Sequence, residues 1–218
     1  MSPTLTAVAV VLILTVLVLG RRQLRKARER YIDHYDFARL LDDRLAKERT
    51  ELGPHQRKLV FRALSEYFHL CRMAGRKRMV SMPSQVVDDA WHEFILFTRN
   101  YGTFCQRALG RFLHHVPAEA MQGPTQAQDG IKRAWRLACL REGIDPKHPA
   151  RLPLLFSIDR DLGIADGFHY VTDCRQAVAH NDTSGTTYCG SHVGCGGGCS
   201  GSTGDGSGCG GGCGGGGD

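Results

Sequence analysis

The sequence lacks the patterns by which a β-sheet protein or a nucleic-acid-binding protein is recognised. No run of alternating apolar and polar residues is long enough to predict a sheet. No base-reading motif accompanies the formal net charge of +6, which is concentrated in residues 21–30, where six residues are basic and one is acidic. We therefore predict a mainly all-α protein that binds no nucleic acid.

Charged side chains are also absent from the first 20 residues, and residues 5–20 are apolar apart from two threonines and a final glycine. About 20 apolar residues suffice to cross a bilayer. A cleaved signal peptide has positive charges before its apolar stretch and an A-x-A-like site after it, whereas here the Arg/Lys cluster follows and no such site is present. We predict an uncleaved transmembrane anchor at 1–20 and a basic juxtamembrane segment at 21–30, so that residues 1–30 contact membrane lipid.

The position of the basic cluster also predicts the orientation of the chain. Positive residues favour the cytoplasmic side, which places the N-terminus outside and the residues from 21 onward in the cytoplasm as a single-pass protein. Thiols stay reduced in the cytoplasm, so the nine cysteines are expected to be core residues, metal ligands or low-complexity filler rather than disulfides. Export after cleavage of a leader would reverse this interpretation.

Residues 31–180 have the composition of a small helical bundle domain. Apolar residues at three- and four-residue steps predict amphipathic helices over 54–75, over 84–117 with an interruption at 100–102, and over 125–143. Ser84 is the expected N-cap of the second of these helices, and Pro117 is its expected end. Residues 154–180 are ambiguous between a short helix with a turn and a small strand pair.

The C-terminal segment, residues 181–218, is rich in glycine and cysteine. Residues 183–218 hold 17 of the 27 glycines and five of the nine cysteines, and the hexapeptide GCGGGC occurs twice. Glycine increases the backbone entropy that folding must overcome, so we predict a disordered, low-complexity tail. A weaker alternative is a local metal site formed by four closely spaced ligands: Cys189, His192, Cys195 and Cys199.

The densest group of chemically capable residues lies between residues 86 and 117. Asp88 and His92 are four residues apart and share one side of a helix, where a carboxylate can orient an imidazole. His92, Cys105, His114 and His115 are candidate metal ligands if the chain folds back near residue 102, and such a nitrogen and sulfur set suits Zn²⁺, Fe²⁺ or Cu⁺. The alternative is a half-buried histidine hydrogen-bonded to an aspartate in the first turn, with Trp91 as a core residue.

A resemblance rests on the same stretch. The segments Val87–His92, Ile95–Leu96, Tyr101, Phe104–Cys105 and Gly110–Pro117 resemble the bacterial branch of the glycine-rich domain-containing protein-like family. The glycine-rich tail is similar to that family as well. The resemblance covers residues 84–117 most strongly and implies no defined biochemical activity.

Three functions remain open on the sequence alone. The leading hypothesis is a membrane-anchored cytoplasmic binding module that holds a transition metal such as zinc, or an unidentified protein partner, and it is favoured because no nucleophile–base–orienter triad is recognisable. The first alternative is a metal-dependent enzyme that uses Asp88 and His92 as an acid/base or ligand pair. The second alternative is a structural scaffold without a metal, in which Trp91, His92 and His115 fill a core.

Overall fold

A computed structural model describes residues 3–76, 78–116, 124–172 and 187–189 of the chain. These ranges are mainly helical, which confirms the predicted fold class. The helices, in chain order, are α1 (Pro3–Asp33), α2 (Ala38–Glu48), α3 (Pro54–Ala74), α4 (Gln85–Leu96), α5 (Thr98–Leu109), α6 (Pro124–Glu142) and α7 (Leu154–Leu162). Two strands of three residues, β1 (His169–Val171) and β2 (Thr187–Cys189), pair in parallel with Tyr170 opposite Tyr188.

Helix α3 forms the centre of the folded part of the chain. It begins at Pro54, where the missing N–H has no intrahelical role, and it ends at Gly75, which has a φ of 74°. Its apolar stripe runs from Val60 to Cys71 and is buried against helices on several sides. The predicted bounds of this helix are confirmed because a strong apolar period and two end signals agree.

The core between α2, α3, α4 and α5 is aromatic. Phe68 and Phe104 lie 4.7 Å apart between ring centroids, and Phe94 meets Phe104 edge-on at 5.3 Å. Phe37 and Tyr35, in the turn between α1 and α2, complete the group. These contacts fix α4 and α5 against the centre of the bundle, and therefore fix the residues that the two helices carry.

Helix α1 has two different halves. The large apolar side chains from Val8 to Leu19 are between 46% and 67% exposed, whereas Ile32 is fully buried in the bundle. The helix is long and apolar enough to cross a membrane, a property that it shares with signal sequences. The basic residues 21–30 lie on the same continuous helix, between the apolar half and the packed end.

Two predicted boundaries in the central stretch are wrong. The interruption lies at Phe97, not at residues 100–102, because the half-buried Phe97 packs against the core and takes a non-helical conformation with φ −81° and ψ 59°. Helix α5 ends at Leu109 rather than near Pro117, because Gly110 takes the left-handed conformation with a φ of 69°. Residues 111–116 then follow without helical structure.

The described part of the segment with two alternative predictions, residues 154–172, contains a helix and a single strand rather than a pair of strands. Its first part is the helix α7, and its second part contains the strand β1. The partner strand β2 lies within the segment for which no regular structure is predicted. The remaining residues of the glycine-rich tail lie outside the described residues.

Candidate functional site

Helix α4 is positioned by a buried carboxylate at its N-terminus. Ser84 is the N-cap, as predicted, and its hydroxyl accepts a hydrogen bond from the Val87 N–H. The carboxylate of Asp159, only 2% exposed, accepts hydrogen bonds from the Ser84 hydroxyl at 2.6 Å and from the Gln85 N–H at 2.8 Å. A negative charge is favoured at this end of a helix, so Asp159 on α7 fixes where α4 begins.

Two adjacent carboxylates near the start of α4 have different partners. Asp89 is bound by the guanidinium of Arg49, whose Nε donates to its Oδ2 at 2.7 Å. Burial nevertheless raises the pKa of Asp89, and Arg49 opposes that rise. Asp88 projects about 100° around the helix from Asp89, and its carboxylate oxygens face the imidazoles of His92 and His115. Only Asp88 is therefore available to the histidines.

The loop after α5 returns to α4 because a chain of three hydrogen-bonding groups holds it there. The indole Nε1–H of Trp91 donates to the Tyr101 hydroxyl at 3.2 Å, and that hydroxyl donates to the carbonyl of Leu113 at 2.5 Å. All three residues are buried. The fixed carbonyl of Leu113 places His115, two residues later, beside α4.

Asp88, His92 and His115 form a cluster, called here the Asp/His cluster. His115 Nε2 lies 3.3 Å from Asp88 Oδ1, and His92 Nδ1 lies 3.6 Å from Asp88 Oδ2. The two imidazole centroids are 4.2 Å apart. Each residue offers one ligand atom, and these three atoms lie within 4.8 Å of one another. The cluster therefore has the size of a metal coordination shell.

A second histidine–aspartate pair in the same protein shows what a direct hydrogen bond looks like. His69 Nε2 lies 2.7 Å from Asp33 Oδ1, the usual length of a charge-assisted hydrogen bond. The separations in the Asp/His cluster are 0.6 to 0.9 Å longer. Donor atoms bonded at about 2.0–2.1 Å to a tetrahedral ion are separated by roughly 3.3 Å. The 3.3 Å separation of His115 Nε2 and Asp88 Oδ1 is thus compatible with a long hydrogen bond and with the ligand spacing around such an ion.

Exposure within the cluster is graded. The His115 and Asp88 side chains are 18% and 22% exposed, whereas the His92 side chain is 50% exposed. Trp91 packs edge-on against the His115 ring at 4.7 Å and holds its orientation. One side of the cluster is therefore supported by the protein and the other is open to solvent.

The structure does not bring Cys105 and His114 into the cluster. Cys105 is fully buried on the inner side of α5, and burial raises the pKa of its thiol, so the thiolate needed by a metal is disfavoured. His114 is exposed, and its ring lies 4.9 Å from Phe112. Asp88, expected only to support a ligand, occupies the place expected for Cys105.

The predicted tail ligands fall on the edge of what the structure describes. Cys189 lies in β2, but its side chain, together with His192, Cys195 and Cys199, is outside the described residues. The importance of Asp159 is not evident from the sequence. It lies 74 positions after Gln85, the first residue of α4, and only the packed structure shows that the two meet.

No curated protein and no solved structure matches the chain. The resemblance to the glycine-rich domain-containing protein-like family is wrong, because a different family is found for this chain. Several of the residues that carried the resemblance, including Trp91, Tyr101 and Phe104, are buried packing residues, and apolar core residues are weak as a family signature. The sequence profile described as UCP032817-like matches residues 27–193, which is well over half of the chain, and the protein belongs to this family.

Proposed function

We propose that this protein is a membrane-attached helical module that binds one divalent transition-metal ion through the Asp/His cluster. The observation that carries the proposal is the convergence of Asp88, His92 and His115: Asp88 lies 3.3 Å from His115 and 3.6 Å from His92, and one ligand atom from each residue lies within 4.8 Å of the others. Two imidazoles and one carboxylate suit Zn²⁺, and the same set with open positions suits Fe²⁺. Zinc is the metal to test first because it needs no reducing conditions.

Membrane attachment is assigned to α1 in this proposal. Residues 7–20 of its apolar half are exposed, and the basic residues that follow favour the cytoplasmic side of a membrane. The Asp/His cluster would then lie in the cytoplasm, on the 31–180 part of the chain. Nucleic acid is not a proposed partner, since the basic residues outside 21–30 are close to balanced by acidic ones.

A metal-dependent enzyme is the second candidate function. Three protein ligands leave a coordination position for water or substrate, and the half-exposed His92 lies on the side from which either would approach. Asp88, His92 and His115 would hold the ion in such an enzyme, and the ion would supply Lewis acidity or an activated water. A folded chain that binds no metal would exclude this enzyme.

The test measures zinc bound by the full-length chain, purified in detergent, dialysed against a chelator and then titrated with Zn²⁺. Its background variant replaces the five tail cysteines by serine, so that tail thiols do not contribute: Cys189, Cys195, Cys199, Cys209 and Cys213. We expect one zinc per chain. His115→Ala should weaken zinc binding by more than about 100-fold, because loss of an outer-shell partner alone costs about 10- to 100-fold.

The matched control is His114→Ala, which removes the neighbouring imidazole from outside the cluster. This variant should retain one zinc at the affinity of the background variant, and so should Cys105→Ser if it folds. Equal loss of zinc in His114→Ala and His115→Ala would contradict the proposed site. A folded background variant that binds no metal would leave the scaffold hypothesis.

A further inference from the structure

A second site lies where the basic part of α1 meets the C-terminal ends of α3 and α5. The cleft there has a volume of about 290 Å³, and we call it the arginine cleft. Five arginines line it: Arg25, Arg28, Arg72, Arg76 and Arg111. Among the described residues, none that lines it is acidic. Such a cleft attracts anions as long as acidic side chains nearby do not neutralise the charge of its arginines.

Four of the five arginines keep their positive charge uncompensated within the described part of the chain. Only Arg72 has a carboxylate partner there, namely Glu29. Arg111 donates to the carbonyls of Cys71 and Gly75, and Arg76 donates to the carbonyl of Gly110. Those carbonyls are neutral acceptors at helix ends, so they orient the guanidinium groups without cancelling their charge.

Arg72, which lines the cleft, has a buried polar atom without a partner among the described residues. Arg72 Nε has no hydrogen-bond acceptor, although the Nη2 of the same side chain pairs with Glu29. A buried N–H left without an acceptor costs free energy. An anion seated in the cleft would offer an oxygen to the guanidinium groups around this atom.

Because Gly110 has no side chain, Arg28 of α1 can approach the end of α5 at the cleft. A Cβ built at Gly110 would lie 2.2 Å from Arg28 Nη2 and 2.7 Å from Arg28 Cζ. The guanidinium of Arg28 therefore rests directly on the backbone of the α5 end. The close approach joins the juxtamembrane part of α1 to the bundle at the cleft itself.

The distance of the cleft from the apolar part of α1, measured along the helix axis, indicates that the anion comes from the membrane surface. At 1.5 Å per residue, Arg25 and Arg28 follow Gly20, the last residue of the apolar run, by roughly 8 and 12 Å along the helix axis. The polar headgroup layer of one leaflet is about 5–8 Å thick. With α1 in a bilayer, the lower edge of the cleft is thus at the level of the phosphates and its upper edge is just above them.

We propose that the arginine cleft binds the phosphate of an anionic phospholipid headgroup from the leaflet that α1 enters. This proposal rests on the membrane attachment in the proposed function, and it is independent of the metal. It differs from general attraction between a basic segment and a negative surface, because only the arginines that line the cleft contribute to it. General attraction would weigh all six basic residues of 21–30 alike.

The experiment compares two double variants of the full-length chain that remove the same charge from the same helix. Arg25→Gln/Arg28→Gln removes two residues that line the cleft. Lys26→Gln/Arg30→Gln removes two exposed residues of α1 that do not line it. Native mass spectrometry of the detergent-solubilised proteins measures binding of added phosphatidylglycerol, with phosphatidylcholine as the neutral lipid and inorganic phosphate as the soluble anion. Circular dichroism checks that both variants fold.

We expect the wild-type chain to bind phosphatidylglycerol in preference to phosphatidylcholine. The cleft variant should lose at least about tenfold in affinity for phosphatidylglycerol, and the control variant should lose less than about threefold. Equal losses in the two variants would overturn the proposal in favour of general attraction. Inorganic phosphate that binds as tightly as phosphatidylglycerol would overturn the lipid as the source of the anion.

Failure of this proposal can be told apart from failure of the proposed function. His115→Ala, which removes a metal ligand, should bind phosphatidylglycerol as the wild-type chain does. Alkaline extraction of membranes that contain the full-length chain reports on α1 separately. A chain that is released by that treatment contradicts the membrane attachment, whereas a retained chain with no lipid preference contradicts the cleft alone.

Discussion

At the scale of single residues, His69 is the most deeply buried histidine in the part of the chain that the structure describes. It is 1% exposed, its Nε2 contacts Asp33, and its Nδ1 has no hydrogen-bond partner. Burial lowers the pKa of His69, the positive charge of Arg141 lowers it further, and Asp33 and Glu66 oppose the shift. The folded protein therefore favours the neutral imidazole.

This preference predicts an acid-sensitive stability. Below about pH 6.5 the unfolded chain protonates its histidine while the folded chain resists, so the unfolded state binds more protons and is stabilised. The free energy of unfolding should fall as the pH drops from about 6.5 towards the lowered pKa of His69. Denaturant titrations between pH 7.5 and 5.5, with a chelator present, measure the slope. His69→Gln should show a smaller slope, and an unchanged slope would assign the effect to other groups.

The members of the Asp/His cluster could be predicted from the sequence only in part. The four-residue spacing of Asp88 and His92 indicated their pairing, because helical geometry alone decides it. His114 and His115 were indistinguishable, since adjacent residues differ only in direction and that direction depends on where α5 ends. Cys105 lies apart from the Asp/His cluster, and its position on the apolar side of α5, visible in the sequence, describes a core residue as well as a ligand.

At the scale of the helix, α4 depends on a side chain from α7. Asp159 accepts hydrogen bonds from Ser84 and Gln85 and also from the N–H groups of Val86 and Phe168. Asp159→Asn replaces one acceptor oxygen by a donor and removes the charge. It should lower the free energy of unfolding by about 2–3 kcal/mol, because hydrogen bonds to a charged group contribute about 1.5–3 kcal/mol and buried donors lose their partners.

Chemical denaturation of the full-length chain in detergent measures the effect of Asp159→Asn. Asp161→Asn is the control, since Asp161 lies on the same helix with a side chain that is 44% exposed and is paired with its neighbour Arg160. The control should change the stability by no more than about 0.5 kcal/mol. A destabilisation of similar size in both variants would show that α4 does not depend on the buried carboxylate.

The end of α5 is the second helix boundary on which the Asp/His cluster depends. Gly110→Ala places a side chain in the left-handed region, at a cost of about 1–2 kcal/mol. It also displaces the Arg28 guanidinium. The matched substitution is Gly102→Ala inside α5, where a Cβ meets nothing within 4 Å and where alanine should stabilise the helix by about 0.5–1 kcal/mol. Thermal unfolding should move in opposite directions for the two variants, and a common direction would contradict this account.

Helix boundaries were predicted well where local signals are strong. Pro54 and Gly75 bound α3 as expected because each acts on the backbone of its own residue. The boundary at Phe97 was missed because it depends on the burial of that ring against residues from other helices. Gly102, which looks like an interruption in the sequence, is accommodated in α5 since its neighbours supply the packing.

At the scale of the whole molecule, α1 is long and apolar enough to cross a membrane, and this property can be tested directly. We expect the full-length chain to stay in the membrane pellet after alkaline extraction, because about 20 apolar residues suffice to span the bilayer. Intact mass measurement of the extracted protein should include residues 1–20. A mature chain that begins after residue 20 would instead identify the apolar half of α1 as a signal sequence.

The continuity of α1 has a mechanical consequence. No break separates its exposed apolar half from Ile32, which is fixed in the aromatic bundle, so the two ends move as one rod. Apolar helices that exceed the local thickness of a bilayer adjust by leaning away from the normal. In a thinner bilayer the bundle would lean by the same angle as the rod, and the direction in which His92 opens to solvent would turn with it.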